Sequence, residues 1–533
     1  MRFSSVLSRA LSVGALVAAV ALGACTDTET KTVTIEKPLV NTPADTVNGF
    51  LGYYDAAAGQ TTCGNCHVDH QADWSNHGHA QAWATLQNSG HAQSFCTSCH
   101  TVSNLGNTTT GPTGYALVQD TSYYDVQCES CHGPGFAHAT TPDATSPPLA
   151  SIAVDTADAS GTCAECHNGT HHPYVEQWEQ SRHAEPNLEV VDEIILNPAQ
   201  YGASCGPCHE ARSIFKAWGI TDNYVERNQV VTHQNAQGVT CAVCHDAHGS
   251  ENSGQLRYSI DDPSIEGNLC MKCHARRFEP QSTSSRGPHA PQGAVFLGTA
   301  GWFPTGADTT PQASTHGDPT ANPRLCAGCH VARLTVTDTS GNFQLQSVGH
   351  LFRPIPCLDP TSGEPVGGNA CGYTETERTW NSCINSGCHA SATQVVAAFA
   401  ANRAVIAVLA DQIWVDVDGD EALSAPDTGL LPLVKANAPT NQFVTGDNLI
   451  TVAEGALFNA RLFGEGRYAN GDKSIGAHNP FLAQRLLAQT ITALKAQYPF
   501  LPAPPAGVRA AMQQAMTNAA KAQSAGHTQV SQR

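Results

Sequence analysis

The sequence predicts a fold of short α-helices and irregular loops, followed by a more helical C-terminal region. A Cys-x-x-Cys-His motif occurs eight times within residues 63–330, so little chain separates one copy from the next. The chain has 46 glycines and 31 prolines in 533 residues, and they are scattered throughout, as is typical of loop-rich proteins. Long apolar stretches with helical spacing begin near residue 391.

The repeated motif predicts covalent haem attachment. Two thiols at this spacing form thioethers with the vinyl groups of a c-type haem, and the adjacent imidazole binds the iron. A single copy could be chance or a zinc site, but eight strict copies that all end in histidine favour haem. A ninth copy is stretched, with four residues between its cysteines. In chain order, sites 1 to 9 are Cys63/Cys66/His67, Cys96/Cys99/His100, Cys128/Cys131/His132, Cys163/Cys166/His167, Cys205/Cys208/His209, Cys241/Cys244/His245, Cys270/Cys273/His274, Cys326/Cys329/His330 and Cys383/Cys388/His389.

Nine haems in this length of chain predict a multihaem cytochrome c fold for residues 51–390. So little polypeptide per cofactor leaves small room for sheets or long helices. We therefore expect short α-helices and irregular loops around a core that is largely porphyrin.

The N-terminal sequence predicts an export signal. Residues 1–24 carry Arg2 and Arg9 and then an apolar run, as a secretory signal peptide does. The run ends Leu-Gly-Ala before Cys25, which resembles a bacterial lipobox and implies lipidation of the Cys25 thiol. The alternative is an ordinary signal peptide with an incidental cysteine. Residues 25–50, rich in threonine and charge at their start, are expected to be a lipoprotein tether.

Two further cysteines remain. Eighteen of the 21 cysteines belong to the nine motifs, which leaves Cys25, Cys357 and Cys371. An exported protein can form disulfides, so we expect a bridge between Cys357 and Cys371. The alternative is two free buried thiols.

The second axial ligands decide between an electron carrier and a catalyst. Nine of the 24 histidines end the motifs, and the fifteen others are enough for nine distal positions. Methionine is nearly excluded because the chain has four, one of them Met1. All-histidine ligation implies low-potential haems. The ten candidates for the nine distal positions are His79, His138, His172, His183, His233, His248, His289, His316, His350 and His478, while His70, His77, His91, His171 and His527 read as surface residues.

Residues 391–533 predict a helical C-terminal extension. Ser391 and Gln394 form a capping-box pattern before an apolar helix that runs to about Trp414, and Asn479 and Pro480 start a second helix. His478 immediately precedes that start, so a rigid backbone would aim its imidazole at a haem. Between the two helices lies a candidate calcium loop, in which Asp416, Asp418, Asp420 and Asp427 stand at the offsets of oxygen ligands. The alternative is an acidic turn.

The net charge of −19 argues against nucleic acid and anionic membrane surfaces as partners. It favours cationic or metal-bearing partners weakly, and it also serves solubility.

Part of the chain resembles a known family. The segment from Cys63 through Trp74, His79 and Ala80, and the run Cys-Glu-Ser-Cys-His-Gly-Pro-Gly at 128–135, resemble the tetrahaem cytochrome c that partners hydroxylamine oxidoreductase. The resemblance covers roughly residues 60–185. It implies haems packed in alternating parallel and perpendicular pairs, an iron ligand at His79 and one five-coordinate haem. Residues 200–350 are similar in style to multihaem cytochromes of metal-reducing bacteria.

These observations favour a non-catalytic electron carrier, and the sequence indicates no catalytic residue. We expect an exported lipoprotein at the outer membrane or cell surface, or one that faces the periplasm, that exchanges electrons with other cytochromes or extracellular metal or mineral acceptors. Assembly of copies into a filament is compatible with the sequence. The alternative is a reductase of nitrogen or sulfur oxyanions with one open haem, although no motif ends in lysine.

Overall fold

The computed structural model describes residues 39–142, 147–154, 162–169, 172–220, 223–337, 340–359, 365–366, 371–384, 387–444, 446–464, 468 and 470–524. The predicted signal peptide, Cys25, most of the tether, His171 and His527 lie outside these residues.

Short helices dominate the described part of the chain before residue 390, as the sequence predicts. The α-helices are Val68–Ser75, Ala82–Asn88, Thr97–His100, Tyr115–Val118, Cys128–His132, Phe136–Thr140, Tyr174–Glu179, Leu188–Leu196, Pro198–Ser204, Gly206–His209, Ala211–Trp218, Cys241–Cys244, Met271–His274, Gln292–Leu297, Leu325–His330 and Asn381–Ile384. The 3-10 helices are Cys63–Asn65, Gly78–Gln81, Ser94–Cys96, Thr121–Tyr123, Cys163–Glu165, Val225–Asn228, Ser253–Gln255 and Thr315–Gly317.

The described residues form little sheet. Strand Tyr53–Asp55 pairs antiparallel with Gln60–Thr61, and Leu334–Thr337 pairs antiparallel with Phe343–Ser347. The second hairpin is held against the helix Tyr174–Glu179, because the side-chain amide of Gln177 donates to Gln346 O at 2.6 Å.

A buried carboxylate anchors the N-terminal segment to site 3. The Oε atoms of Glu129 accept hydrogen bonds from the backbone N–H groups of Leu51, Gly52 and Gly135 at 2.7 to 2.9 Å. Burial raises the pKa of Glu129 to about 7, although these three donors act in the opposite direction. Glu129 lies between the two cysteines of site 3, so these bonds fix the start of the described chain against that motif.

Five longer helices form the C-terminal part: Ala392–Ile413, Leu430–Asn437, Val452–Phe463, Pro480–Gln497 and Ala506–Ser524. The predicted caps are present, since Ser391 Oγ accepts from Gln394 N at 3.2 Å and Asn479 Oδ1 accepts from Leu482 N at 3.0 Å. The largest apolar core of the described residues lies here, with Leu409 and Leu486 fully buried. By length and composition Ala392–Ile413 alone among the described helices could cross a membrane, a test that the core helix of a soluble protein also passes.

The C-terminal helices pack directly on the motif-bearing region. Ala294, Val295 and Ala300 belong to the same apolar core. The amide of Asn479 donates to Val295 O at 3.1 Å and to Gln312 O at 2.7 Å. These contacts place the start of the helix Pro480–Gln497, and therefore His478, next to the segment between sites 7 and 8.

Candidate haem sites

Each of the eight motifs at sites 1 to 8 contains a short helical segment, which gathers two thiols and an imidazole. In site 1 the His67 N–H donates to Cys63 O at 3.0 Å, and sites 4, 6 and 7 close the same turn at 2.9 to 3.0 Å. None of the eighteen motif cysteines is in a disulfide. They are therefore available for thioether bonds, and their spacing fits the two vinyl groups of a haem.

Eight of the nine motif histidines face a second histidine from elsewhere in the chain. The ring centroids in these eight pairs are 6.0 to 6.4 Å apart. The pairs are His67–His138, His132–His248, His167–His79, His209–His289, His245–His350, His274–His183, His330–His478 and His389–His316.

This separation fits one metal ion between two imidazoles. A metal–imidazole nitrogen bond is about 2.0 Å long, so two such bonds in line, with the radius of each ring, separate the centroids by about 6 Å. Direct ring stacking would bring the centroids closer, as with His70 and His248 at 4.4 Å. The residues present therefore fit an iron held by two histidines at these eight sites.

Hydrogen bonds orient several of these rings through Nδ1 and leave Nε2 for a metal. Nδ1 of three motif histidines lies 2.7 to 3.0 Å from a backbone carbonyl oxygen: His132 from Pro148 O, His245 from Gly254 O and His330 from Phe352 O. His316, opposite site 9, has the same arrangement with Ala477 O at 2.7 Å. Such outer partners set the tautomer and fix the ring plane of a metal-ligating histidine.

Burial favours the neutral, metal-binding form of these imidazoles. It lowers the pKa of His167, His183 and His330 to about 4 in each case. The pKa of His289 is also lowered to about 4, first by burial and then by Arg277, His209, Arg276 and Arg286.

His478 differs in its hydrogen-bond partner. Its Nδ1 lies 2.6 Å from Oδ1 of Asp472, a carboxylate that is 2% exposed. Burial alone would lower the pKa of His478, but Asp472 outweighs it and the pKa is raised. A carboxylate on the outer nitrogen makes an imidazole a stronger donor to a metal. Nothing in the sequence pattern pointed to Asp472.

His100 of site 2 is the exception. Its Nδ1 lies 2.9 Å from Ala82 O, as in the other sites. In the part of the chain that the structure describes, no second histidine ring lies against it. Site 2 is bordered by Trp83, whose ring stacks on Tyr124 at 4.0 Å, and by Asp125.

Two of the ten distal candidates are not among these eight pairs. Nε2 of His233 lies 2.7 Å from Asp192 Oδ1, and both side chains are about half exposed. His172 lies 6.2 Å from His167, but it is exposed and follows that motif by five residues, while the more buried His79 already faces His167. His70, one helical turn after His67, is exposed in the same way.

Motifs that are distant in the sequence lie next to one another, and these neighbouring pairs connect all nine sites. Cysteines face each other between sites 1 and 3, 2 and 4, 4 and 6, 5 and 7, and 7 and 8, through Cys63–Cys128, Cys99–Cys166, Cys163–Cys241, Cys208–Cys273 and Cys270–Cys326. Electrostatic interactions add sites 3 and 4, 6 and 7, and 8 and 9, through Cys131–Cys163, Cys244–Cys270 and Cys329–Cys383. Sites 1, 3, 4, 6, 7, 8 and 9 thus form a main row, and sites 2 and 5 are branches from sites 4 and 7.

The motif cysteines differ in exposure. Cys66 of site 1, Cys163 of site 4 and Cys388 of site 9 are exposed, whereas the other fifteen are at least partly buried. Exposure leaves each of the three thiols able to form a thioether, so haem attachment through Cys66, Cys163 and Cys388 stays a prediction.

Sites 1 to 4 and sites 4 to 7 repeat the same pattern of contacts. In each group the first site contacts the third, the second contacts the fourth, and the third contacts the fourth. The segments before His79 and His183 repeat as well. The indole N–H of Trp74 donates to Val126 O, and that of Trp178 to Val239 O, at 2.9 and 2.8 Å. Each segment precedes a motif. The two groups of four sites therefore repeat one local arrangement, and site 4 belongs to both groups.

The remaining predicted residues lie away from this network. Cys357 and Cys371 are joined by a disulfide. Asp416, Asp418 and Asp420 bring one carboxylate oxygen each within 4.8 Å of the others. Asp427 is outside that group, because its carboxylate accepts from the Trp414 indole at 2.8 Å and from Ser424 N at 3.0 Å. Calcium at the first three residues stays a prediction.

Two family models match parts of the chain. Residues 62–133 match the model described as cytochrome c554 and c-prime, and residues 233–278 match a doubled CXXCH motif. No solved structure matches the chain.

Curated relatives match over part of their length. The C-type polyheme cytochrome OmcB of Geobacter sulfurreducens is 25% identical over 235 residues, which is 39% of this chain and 28% of OmcB. The multiheme cytochrome MtrA of Shewanella baltica is 27% identical over 169 residues, which is 29% of this chain and 44% of MtrA. The chain therefore covers less than half the length of either relative.

Proposed function

We propose that this chain, which is a multihaem c-type cytochrome, carries electrons through nine haem sites outside the bacterial cytoplasm. The family matches and the repeated motifs establish the class of protein. The number of haems, the histidine ligation and the direction of electron flow belong to the proposal.

The single observation that carries it is the set of eight histidine pairs at 6.0 to 6.4 Å. An iron with histidine on both faces has no open position for a substrate, so these eight sites suit electron transfer better than bond chemistry. Two nitrogen ligands also favour low potentials.

When bound, each haem supplies an iron that gains or loses one electron. The polypeptide would fix the order of the sites, because it places neighbouring motifs of the main row side by side. It also holds the imidazole planes through carbonyl and carboxylate partners, and it partly buries rings such as His330, whose pKa burial lowers. These are spacing, ligation and dielectric effects, which are what a protein contributes to a redox cofactor.

We further propose export, lipidation at Cys25, and exchange of electrons with another cytochrome or an extracellular metal acceptor. Cytochrome relatives in Geobacter and Shewanella support the first of these in general terms. Assembly into a filament would require a surface contact between copies of the chain.

The test is an electron count. The purified, haem-loaded protein is fully reduced and then titrated with a one-electron oxidant. An electron carrier should release nine electrons per molecule to the oxidant and none to nitrite, hydroxylamine or sulfite. Sustained reduction of one of these three compounds would contradict a purely carrying role.

A second candidate function rests on site 2. His100 has no histidine opposite it among the described residues, so an iron there would keep one open position. A reductase of nitrogen or sulfur oxyanions would need such a site, with the main row as its supply of electrons. The same titration distinguishes the two functions. If the protein is a reductase, nitrite or sulfite will accept electrons from the reduced protein and oxidise it.

A further inference from the structure

Site 5 carries an unusual local charge. Arg276, Arg277 and Arg286 surround the loop that presents His289, in a chain whose net charge is −19. Within the described residues none of the three arginines is in an ion pair, and Arg276 and Arg286 are exposed.

Two contacts fix this cluster beside the site. The backbone N–H of Arg276 donates to Ala290 O at 3.0 Å, and Nε of Arg277 donates to Gly287 O at 3.2 Å. Both acceptors lie within two residues of His289. Arg276 also acts electrostatically on Cys208, and Arg277 on Cys205, so the positive charge reaches both thiols of the motif. Glu193 borders the same site, where its carboxylate accepts from Cys205 Sγ at 3.5 Å.

Site 5 also lies at the end of a branch from the main row of sites. Its thiol Cys208 contacts Cys273 of site 7, and Cys273 Sγ lies 3.9 Å from Pro207 O inside the site 5 motif. Among the neighbouring pairs of motifs given above, site 5 occurs only with site 7. An electron that arrives there from site 7 can leave the protein or return.

We propose that site 5 is the port at which the protein exchanges electrons with a small anionic redox compound, such as a ferric chelate. This inference rests on the proposed electron-transfer function. One electron passes from the reduced protein to the ferric chelate, which becomes ferrous, and no bond forms and no proton moves. A small anion fits better than an acidic protein. Screening limits the field of remote carboxylates to about 10 Å, so a small compound at site 5 meets mainly the arginines.

Stopped-flow oxidation of the fully reduced, haem-loaded protein tests the port. The probes are hexacyanoferrate(III), an anion, and hexaammineruthenium(III), a cation. Arg276→Gln combined with Arg286→Gln removes two exposed charges and spares Arg277, which holds the His289 loop. Arg509→Gln with Lys521→Gln, both exposed on the helix Ala506–Ser524, is the matched control.

The rate constant with the anion should fall by roughly tenfold in the arginine variant and stay unchanged in the control. The rate with the cation should not fall. In the parent, the rate with the anion should decrease as salt is added, although the net charge alone would make it increase.

An unchanged rate with the anion, or an equal loss in the control variant, overturns the port. So does an equal loss with both oxidants together with a shifted potential of one haem, since the arginines would then serve the haem of site 5 itself. Failure of the parent to be oxidised by either probe would instead contradict the electron-transfer function.

Discussion

The carboxylate of Asp472 lies 2.6 Å from Nδ1 of His478, whose ring faces His330 of site 8 with the centroids 6.1 Å apart. His478 also stands at the start of the helix Pro480–Gln497, so the C-terminal helices and the haem sites meet at this residue. The helical extension therefore completes site 8 in the proposed arrangement, with Asp472 as a positioning residue.

Replacement of His478 should alter one haem and spare the others. In His478→Ala the chain should keep nine haems, and one low-spin iron should become high-spin or bind water. EPR and visible spectra measure this. His233→Ala is the control, because Nε2 of His233 is already engaged by Asp192 and its loss should leave the spectra unchanged. Parent-like spectra for the His478 variant would rule out ligation.

Asp472→Asn should leave His478 as a ligand of the iron at site 8 but weaken its donation to that iron. Loss of the buried carboxylate weakens donation by His478, so the ferric state is less stabilised and one reduction potential should rise. A loss of about 1 kcal/mol corresponds to roughly 40 mV for one electron. Potentiometric titration of the haems measures the shift. An unchanged set of potentials would show that Asp472 does not tune site 8.

Glu129→Gln should destabilise the N-terminal segment. An amide offers one acceptor oxygen in place of two, so some of the N–H groups of Leu51, Gly52 and Gly135 would lose their buried acceptor, at a cost of about 2 kcal/mol. The exposed Glu251→Gln is the matched control. The melting temperature of the haem-loaded protein should fall for Glu129→Gln only.

The Glu129 contribution should also depend on pH. Its pKa in the folded protein is about 7, above its ordinary value of 4.5. A raised pKa means that folding favours the protonated form, so this contribution is full below pH 4.5 and is lost as the pH rises through 7. The difference in melting temperature between the parent and Glu129→Gln should shrink over this range. A constant difference would show that the carboxyl does not titrate there.

Cys25→Ser should release the protein from membranes if the lipobox prediction is correct, because the lipid is joined through that thiol. Fractionation of cells into membrane and soluble parts measures this. Unchanged membrane association would favour an ordinary signal peptide and another means of attachment.

The sequence predicted those features that depend on neighbouring residues. Motif spacing identified nine candidate attachment sites, and the caps at Ser391 and Asn479 located two helices. Pairing of histidines is not local. His79 faces His167, and His478 faces His330, across long stretches of chain, so their partners depend on the tertiary fold. For the same reason His233 and His172 had local surroundings like those of the other candidates, yet His233 pairs with Asp192, and His172 is exposed beside His167, which the more buried His79 already faces.

Exposure of the motif cysteines is another feature that the local pattern does not contain, since Cys66, Cys163 and Cys388 belong to motifs like the others. The sequence pattern likewise did not predict that His100 faces no second histidine among the described residues, or that Asp472 contacts His478.

The spin states of the oxidised, haem-loaded protein test the central claim most directly. Quantitative EPR, combined with a haem count from the mass of the mature protein, should find nine haems, of which eight are low-spin with two histidine ligands and one is high-spin. In the double variant Cys383→Ser with Cys388→Ser the count should fall to eight. Several high-spin haems in the parent protein would contradict the proposed histidine pairs, and with them the electron-carrying role of the main row.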